Sequence, residues 1–292
     1  MSERRLENWP GNPKESIDIT GRNSEIVIEE LSLDLNAQPH GANVLILGEG
    51  FSDFGVKLQE QRQDLSILVA DQLYAYVHPT DSPDVIKQKL KSVGINAYVS
   101  QTSALADASK KVSSSEKQPM YVAADIYKLP LADASIDVVY LNHVLEHIAF
   151  DKALPELVRV LKQRGEIRFG GTPFTISNQD GILKMYLGLL KNDLYDGTIL
   201  IGPDLTSFEA GVRVLATIPE VTAYVHSTQT TTPFFTTQTF VLKKGDDIPV
   251  FFHQSETPSP RTFRLLVEKI NTDDPQLPYV ELTQSPVDKT DG

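Results

Sequence analysis

The sequence has no cysteine among its 292 residues, which excludes disulfides, thiolate metal sites and cysteine nucleophiles. It also lacks an excess of positive charge: 27 Lys and Arg stand against 39 Asp and Glu, for a formal net charge of −12. That balance repels a polyanion unless a basic patch is segregated. The nearest candidates, Lys87/Lys89/Lys91 and Lys110/Lys111, fall among helix-forming residues and read as solvated faces. Nucleic-acid partners are therefore not expected. Long apolar runs are missing too. No stretch approaches the ~20 residues that a membrane span needs, and MSERRLENWPGNPKES at the start has no apolar segment of the secretory type. The expectation is a soluble cytoplasmic protein with no membrane partner. No internal repeat is present.

What the sequence does contain is an alternation of short apolar runs and amphipathic segments. Residues 23–35 predict a helix capped by Asn23 or Ser24. NVLILG (43–48), LSILVAD (65–71), PMYVAAD (119–125), SIDVVYLN (135–142) and EIRFGG (166–171) predict strands. Helices are predicted over 54–62, over 82–94, where Ser82, Pro83 and Gly94 supply start and stop signals, over 151–165 and over 207–218. Strands that are apolar on both faces and separated by helices require crossovers, hence a mainly parallel sheet covered on both sides. VTAYVHST (221–228) and TQTFVLKK (237–244) predict a closing antiparallel pair. The expected fold is a doubly wound, Rossmann-like α/β domain with a seven-stranded, mainly parallel sheet and an antiparallel closing strand.

The first strand ends in VLILGEGFSDFG (44–55). Gly48 and Gly50 let the chain bend tightly and let a ligand lie against its backbone. In such sheets ligands bind beyond the carboxyl ends of the strands, where strand order switches. Asp71 closes the second strand about 20 positions further on, the spacing of an acid that accepts from both ribose hydroxyls; a helix-capping Asp is the plainer reading. A dinucleotide fingerprint wants a third Gly where Asp53 stands, and a carboxylate aimed at a diphosphate would repel it. A ligand with adenosine and no phosphate fits better.

These motifs resemble the class I S-adenosylmethionine (SAM)-dependent methyltransferases, especially the small-molecule group that includes the ubiquinone and menaquinone methyltransferases. VLILGEGFSDFG is similar to the family's glycine-rich first motif and ILVADQ (67–72) to its acidic second motif. AADIYKLPLADASIDVVYLNHVLEHI (123–148) and PELVRVLKQRGEIRFGGTPF (155–174) resemble the later motifs. The resemblance implies SAM as cofactor and S-adenosylhomocysteine as product. It implies that Gly48, Glu49 and Gly50 lie along the methionine and ribose portions, that Asp71 holds the ribose and that Gln72 packs beside the adenine. Asp125 would accept from the adenine amine, the Ile126 N–H would face a ring nitrogen, and Asn142 would line the methionine side. Glu49 departs from the small residue usual between the glycines. The stretch from Asp71 to Asp125 is also longer than usual and predicts an extra helix and surface loop.

The implied chemistry is in-line displacement at a sulfonium-bound methyl, which asks the protein to align a nucleophile and exclude water. A base helps when the acceptor is a hydroxyl or a protonated amine, and His143 and His147, just beyond the fourth strand, are the candidates. His143, Glu146 and His147 would share a helical face, as metal ligands can, but no metal is expected. The expected layout is a helical extension over 1–40, the methyltransferase domain over 41–245 and a C-terminal extension over 246–292 with a disordered end. Within the domain, 172–205 is an insertion in which Ile182, Leu183, Tyr186, Leu187, Leu189 and Leu190 would make an apolar helical face. That face would either pack into the core or form a lid over an apolar acceptor. The partner expected is a small-molecule acceptor; acceptor identity, the choice among O, N and C, and oligomeric state do not follow from the sequence. The rival functions are a catalytically silent binding protein of the same fold and an NAD(P)-dependent oxidoreductase.

Overall fold

The structure is a computed structural model that describes residues 17–19, 21–36, 38–98, 102–145, 148–170, 174–179, 182–187, 221–229, 236–245, 261–271 and 279–286. Its N-terminal part runs β1 (Ile17–Asp18), α1 (Ser24–Glu30), β2 (Asn43–Leu47), α2 (Phe54–Gln61) and β3 (Ser66–Ala70). A 3-10 turn at Gln72–Ala75 leads to α3 (Pro83–Ser92), β4 (Ala97–Tyr98) and α4 (Thr102–Ser114). Then come β5 (Met120–Val122), β6 (Ile136–Asn142), α5 (Phe150–Val160) and β7 (Leu161–Gly170). The strands beyond are β8 (Phe174–Gln179), β9 (Ile182–Leu187), β10 (Val221–Gln229), β11 (Thr236–Lys244), β12 (Arg261–Asn271) and β13 (Tyr279–Pro286).

The sequence explains the central strands directly. Alternate residues point to opposite faces, and both sets are apolar. Leu45 and Leu47 of β2, with Val139 and Leu141 of β6, join the cluster under α5; Val44, Ile46, Val138 and Tyr140 join the cluster under α1 and α2. Only a sheet covered by helices on both sides buries both sets. Leu58 of α2 and Leu154 of α5 are fully buried, each burial contributing about 1.5–3 kcal/mol.

Pairing runs β5-β3-β2-β6-β7-β11-β10, the first five strands parallel and β11 antiparallel to both its neighbours. These are the expected seven strands with their closing antiparallel pair. From β2 the chain moves outward through β3 to β5, then returns across β2 to β6. The switch in strand order therefore lies between Leu47 and Leu141, which face each other in register.

Helix α1 begins as expected, with the Asn23 side chain accepting from Glu25 N at 2.9 Å, and α3 carries Ser82 at its cap and Pro83 in its first turn. The extra helix expected between Asp71 and Asp125 is α4.

Four expectations change. Helix α1, expected to run to residue 35, ends at Glu30, and Ser32 just beyond it takes a φ of +51°. Helix α5 ends at Val160, not at Gly165: β7 starts at once, and an irregularity in its pairing with β6 absorbs Arg164, whose φ is +67°. The helical face expected in the insertion is not formed by Ile182, Leu183, Tyr186 and Leu187. They lie in β9, which pairs antiparallel with β8 and β13 and so fills its main-chain hydrogen bonds from neighbouring strands; Leu189 and Leu190 lie outside the described residues. The C-terminal segment contributes β12 and β13 to the same sheet, which reaches eleven strands. The helix expected over 207–218 and the disordered end expected after 286 lie outside the described residues.

Candidate active site

At the switch point β2 ends in Gly48 and Gly50, with φ of +66° and +60°. Both sit in the left-handed region that favours glycine. They differ in their surroundings. A Cβ on Gly48 would lie 2.6 Å from Val144 Cγ2, whereas one on Gly50 would meet nothing within 4 Å. The first glycine is needed for packing under the segment after β6; the second leaves open space above the backbone. Because the valine branch is stiff, Gly48→Ala is expected to lose at least about 1 kcal/mol more stability than Gly50→Ala, which bears only the left-handed cost of roughly 1–2 kcal/mol. Urea unfolding of the two variants checks this, and equal losses would contradict the packing role.

The acids around the turn divide their work. The Asp53 carboxylate accepts from Ser24 N at 2.8 Å, pairs with Lys111 at 2.7 Å and is 3% exposed. The expectation that Asp53 would repel a diphosphate is thus corrected: it binds α1 to α2 and α4. Glu49 instead occupies the N-terminus of α2, its Oε1 accepting from Gly55 N at 2.8 Å, while Oε2 is buried without a hydrogen-bond partner. Burial pushes the Glu49 carboxyl up to about 8; the Gly55 and Phe54 amides oppose this, and the nearby Asp53 and Asp71 add to it.

Asp71 caps the 3-10 turn through Leu73 N at 2.8 Å, as the plainer reading had it, and also reaches back to Gly50 N at 3.0 Å. Burial raises its pKa against the pull of those two amides. Tyr74 donates its hydroxyl to Gly50 O at 2.6 Å. Asp125 accepts from Tyr127 N at 2.9 Å and from the Gln72 amide at 3.3 Å. Ile126 buries its side chain in the core under α5, leaving only its backbone to serve a ligand. Gly50 and Asp71 therefore form one bonded pair, and Gln72 and Asp125 a second.

Asn142 ends β6. Its Nδ2 donates to Glu30 Oε2 at 2.8 Å, and its Oδ1 is buried without a hydrogen-bond partner. His143 follows with φ of +52°, its N–H donating to Gly170 O at 3.0 Å and its Nε2 lying 3.1 Å from Glu30 Oε1. Glu30 also pairs with Arg22 at 3.3 Å. Burial pushes the Glu30 carboxyl up, but His143, Asn142 and Arg22 outweigh it and hold the group below its ordinary range. Glu146 and His147 lie outside the described residues, and among the described residues no cluster of three His, Asp or Glu side chains could hold a metal. Sequence reasoning missed Glu30. Its partner Asn142 is 112 positions away, and no local pattern marks it.

The fold defines a Rossmann-like α/β protein, with the glycine turn and Asp71 at its strand switch. Within that class, residues 87–169 match the family model described as a methyltransferase domain. The matched stretch includes Asp125, Ile126, Asn142 and His143 and begins beyond the glycine turn, Asp71 and Gln72. The likeness to methyltransferases expected from the motifs is thus found. No curated protein matches the sequence.

Among solved structures, the chain is similar to a putative sarcosine dimethylglycine methyltransferase from Galdieria sulphuraria, with 19% identity, 55% of this chain and 48% of that one covered and a TM-score of 0.32. The chain thus spans about half the length of that relative. It is similar also to a putative SAM-dependent methyltransferase from Methanococcus maripaludis (17% identity, 78% and 85% covered, TM-score 0.39). A third likeness is phosphoethanolamine N-methyltransferase 1 from Haemonchus contortus, in complex with phosphoethanolamine and S-adenosylhomocysteine (13% identity, 77% and 44% covered, TM-score 0.42). Among the described residues no helix is long and apolar enough to cross a membrane.

Proposed function

We propose that this chain is a SAM-dependent methyltransferase that transfers a methyl group to a small-molecule acceptor and releases S-adenosylhomocysteine. The observation that carries the reading is Glu49. First-turn amides at a helix N-terminus are where an α/β fold holds a pyrophosphate. Here a side chain of the turn itself takes the Gly55 amide, so a dinucleotide finds the seat filled. A cationic ligand lacking phosphate meets no such conflict and favours the ionised carboxylate.

The residues on the rim fit the remaining parts of such a ligand. Asp71 would accept from the ribose hydroxyls, Gln72 would flank the adenine, and Asp125 and the Ile126 N–H would read its edge. A buried exocyclic amine left unpaired costs about 1–3 kcal/mol, enough to select the base. Gly48, Glu49, Gly50 and Asn142 would surround the methionine portion. SAM, when bound, supplies an electrophilic methyl on a sulfonium. The protein's part is to align the acceptor and to keep water from it, with His143 or His147 as proton acceptor.

Calorimetry with SAM, S-adenosylhomocysteine and NAD tests the reading. The two sulfur ligands are expected to bind and NAD to give no heat; the reverse result would replace the methyltransferase with an oxidoreductase. Transfer of label from SAM to an acceptor separates an enzyme from a silent binder.

A further inference from the structure

Helix α1 spans part of the carboxyl rim of the sheet and is fixed at both ends. At its start Ser24 N donates to Asp53 at 2.8 Å, beside the glycine turn. At its end the Glu30 carbonyl accepts from Thr239 Oγ1 of β11 at 3.0 Å, and a Cβ on Gly170, the last residue of β7, would come within 2.9 Å of that carbonyl. The Glu30 side chain turns to the end of β6, where Oε2 takes the Asn142 amide at 2.8 Å and Oε1 lies 3.1 Å from His143 Nε2.

Arg22 reaches the same Oε2 from the other end of the helix, its Nη1 donating at 3.3 Å. Its side chain therefore runs along α1 toward the strand ends. A guanidinium carries five N–H donors in a planar fork, and the only hydrogen-bond partner of this one among the described residues is Glu30, through a single N–H. The contact is the longest of the three side-chain contacts that Glu30 makes, and the Arg22 side chain stays 36% exposed. Arg22 is thus held in place with most of its donors unspent. The charge around it gives this placement weight. The chain has a net charge of −12, Glu49, Asp53 and Asp71 gather at the glycine end of the rim, and Lys111 is committed to Asp53 at 2.7 Å. Such a field turns anions away, so an anionic group settles at this rim only against a specific cation.

We propose that Arg22 is a specificity residue that binds an anionic group, a carboxylate or a phosphate, on the acceptor, and that Glu30 holds it at the end of β6 for that purpose. The inference rests on the methyltransferase reading, under which Asn142 borders the methionine portion of SAM, and it narrows the small-molecule acceptor to an anion. Two oxygens of either group match two remaining N–H groups of the fork, and each such charge-assisted bond is roughly twice as strong as a neutral one.

Titration of the full chain with sodium acetate and with inorganic phosphate, in the presence of S-adenosylhomocysteine, tests the seat while the acceptor is unidentified. The readout is the backbone amide signals of α1 in nitrogen-15 NMR, with acetamide as the neutral control and sodium chloride as the ionic one. Acetate or phosphate is expected to shift these signals to saturation in the millimolar range, the tighter of the two naming the group, while acetamide and chloride leave them still. Arg22→Gln is expected to weaken that anion at least about tenfold, the loss of one charge-assisted contact. Arg22→Lys should fall between, because it keeps the charge and loses the fork.

A response that does not saturate, that chloride reproduces, or that Arg22→Gln leaves within twofold of wild type overturns the seat. Absence of S-adenosylhomocysteine binding in the wild type removes the proposed function instead, and the same titration of the ligand-free chain then decides whether Arg22 takes an anion.

Discussion

Asp71→Ala is expected to weaken S-adenosylhomocysteine binding by about 12- to 160-fold, because under the proposed function the carboxylate serves the turn and the ligand together. A charge-assisted hydrogen bond is worth about 1.5–3 kcal/mol, and a ribose would lose at least one. Asp71 also holds Gly50 N and Leu73 N, at 3.0 and 2.8 Å. Alanine therefore frees the glycine turn and removes the cap of the following 3-10 turn, a further stability loss of about 1 kcal/mol. Asp71→Asn keeps an acceptor for one of these amides and should fall between alanine and wild type in both measurements. Titration calorimetry and urea unfolding of the two variants give the comparison. Binding of alanine within threefold of wild type would remove Asp71 from the ligand and leave it as a cap alone.

Glu49→Gln is expected to make the protein more stable at alkaline pH and nearly unchanged at pH 5. The Glu49 pKa rises from 4.5 to about 8 on folding because burial disfavours the charge. The folded chain thus holds this proton more tightly than the unfolded chain. The stabilisation that follows is complete below pH 4.5 and is lost as pH climbs through about 8. Glutamine carries no such proton, so the gap between variant and wild type should open over that interval to about 3 kcal/mol, allowing for relaxation around a partly exposed residue. Thermal melts from pH 5 to 9 read it directly. Wild-type affinity for the SAM cation should also rise with pH as Glu49 ionises, and Glu49→Gln should flatten that rise. Parallel melting curves for the two proteins across the range would show that Glu49 does not titrate there.

Much of the core was legible because its signals are local. The run from Asn43 to Leu47 is apolar at both parities, so it announces a strand buried on both faces, and Ser82, Pro83 and Gly94 bracket α3 with separate start and stop chemistry. What sequence spacing does not carry is direction. Asp53 stands where a dinucleotide fold keeps a glycine, yet its carboxylate turns to Ser24 N, 29 positions back. Glu49, read as a departure from the usual small residue and as one side of the methionine and ribose surface, turns out to occupy the helix terminus. Gly165 looked like a helix stop because glycine ends helices and also sits in strand irregularities, and pairing with β6 decided for the second. Residues 182–187 satisfy helical and alternating patterns at once, an ambiguity common to short apolar runs; partners from β8 and β13 settled it. Glu30 left no trace because its meaning lies wholly in what tertiary packing brings to it.

With His143 as the proton acceptor proposed above, its left-handed backbone bears on descent as well. Glycine, or to a lesser degree asparagine, would sit there with less strain, so mutation filtered by stability alone should drift toward them. A descendant released from catalysis would keep the sheet, whose burial any folded copy needs, and surrender the imidazole early. Among homologues, the residue aligned with position 143 would then separate working copies from retired ones.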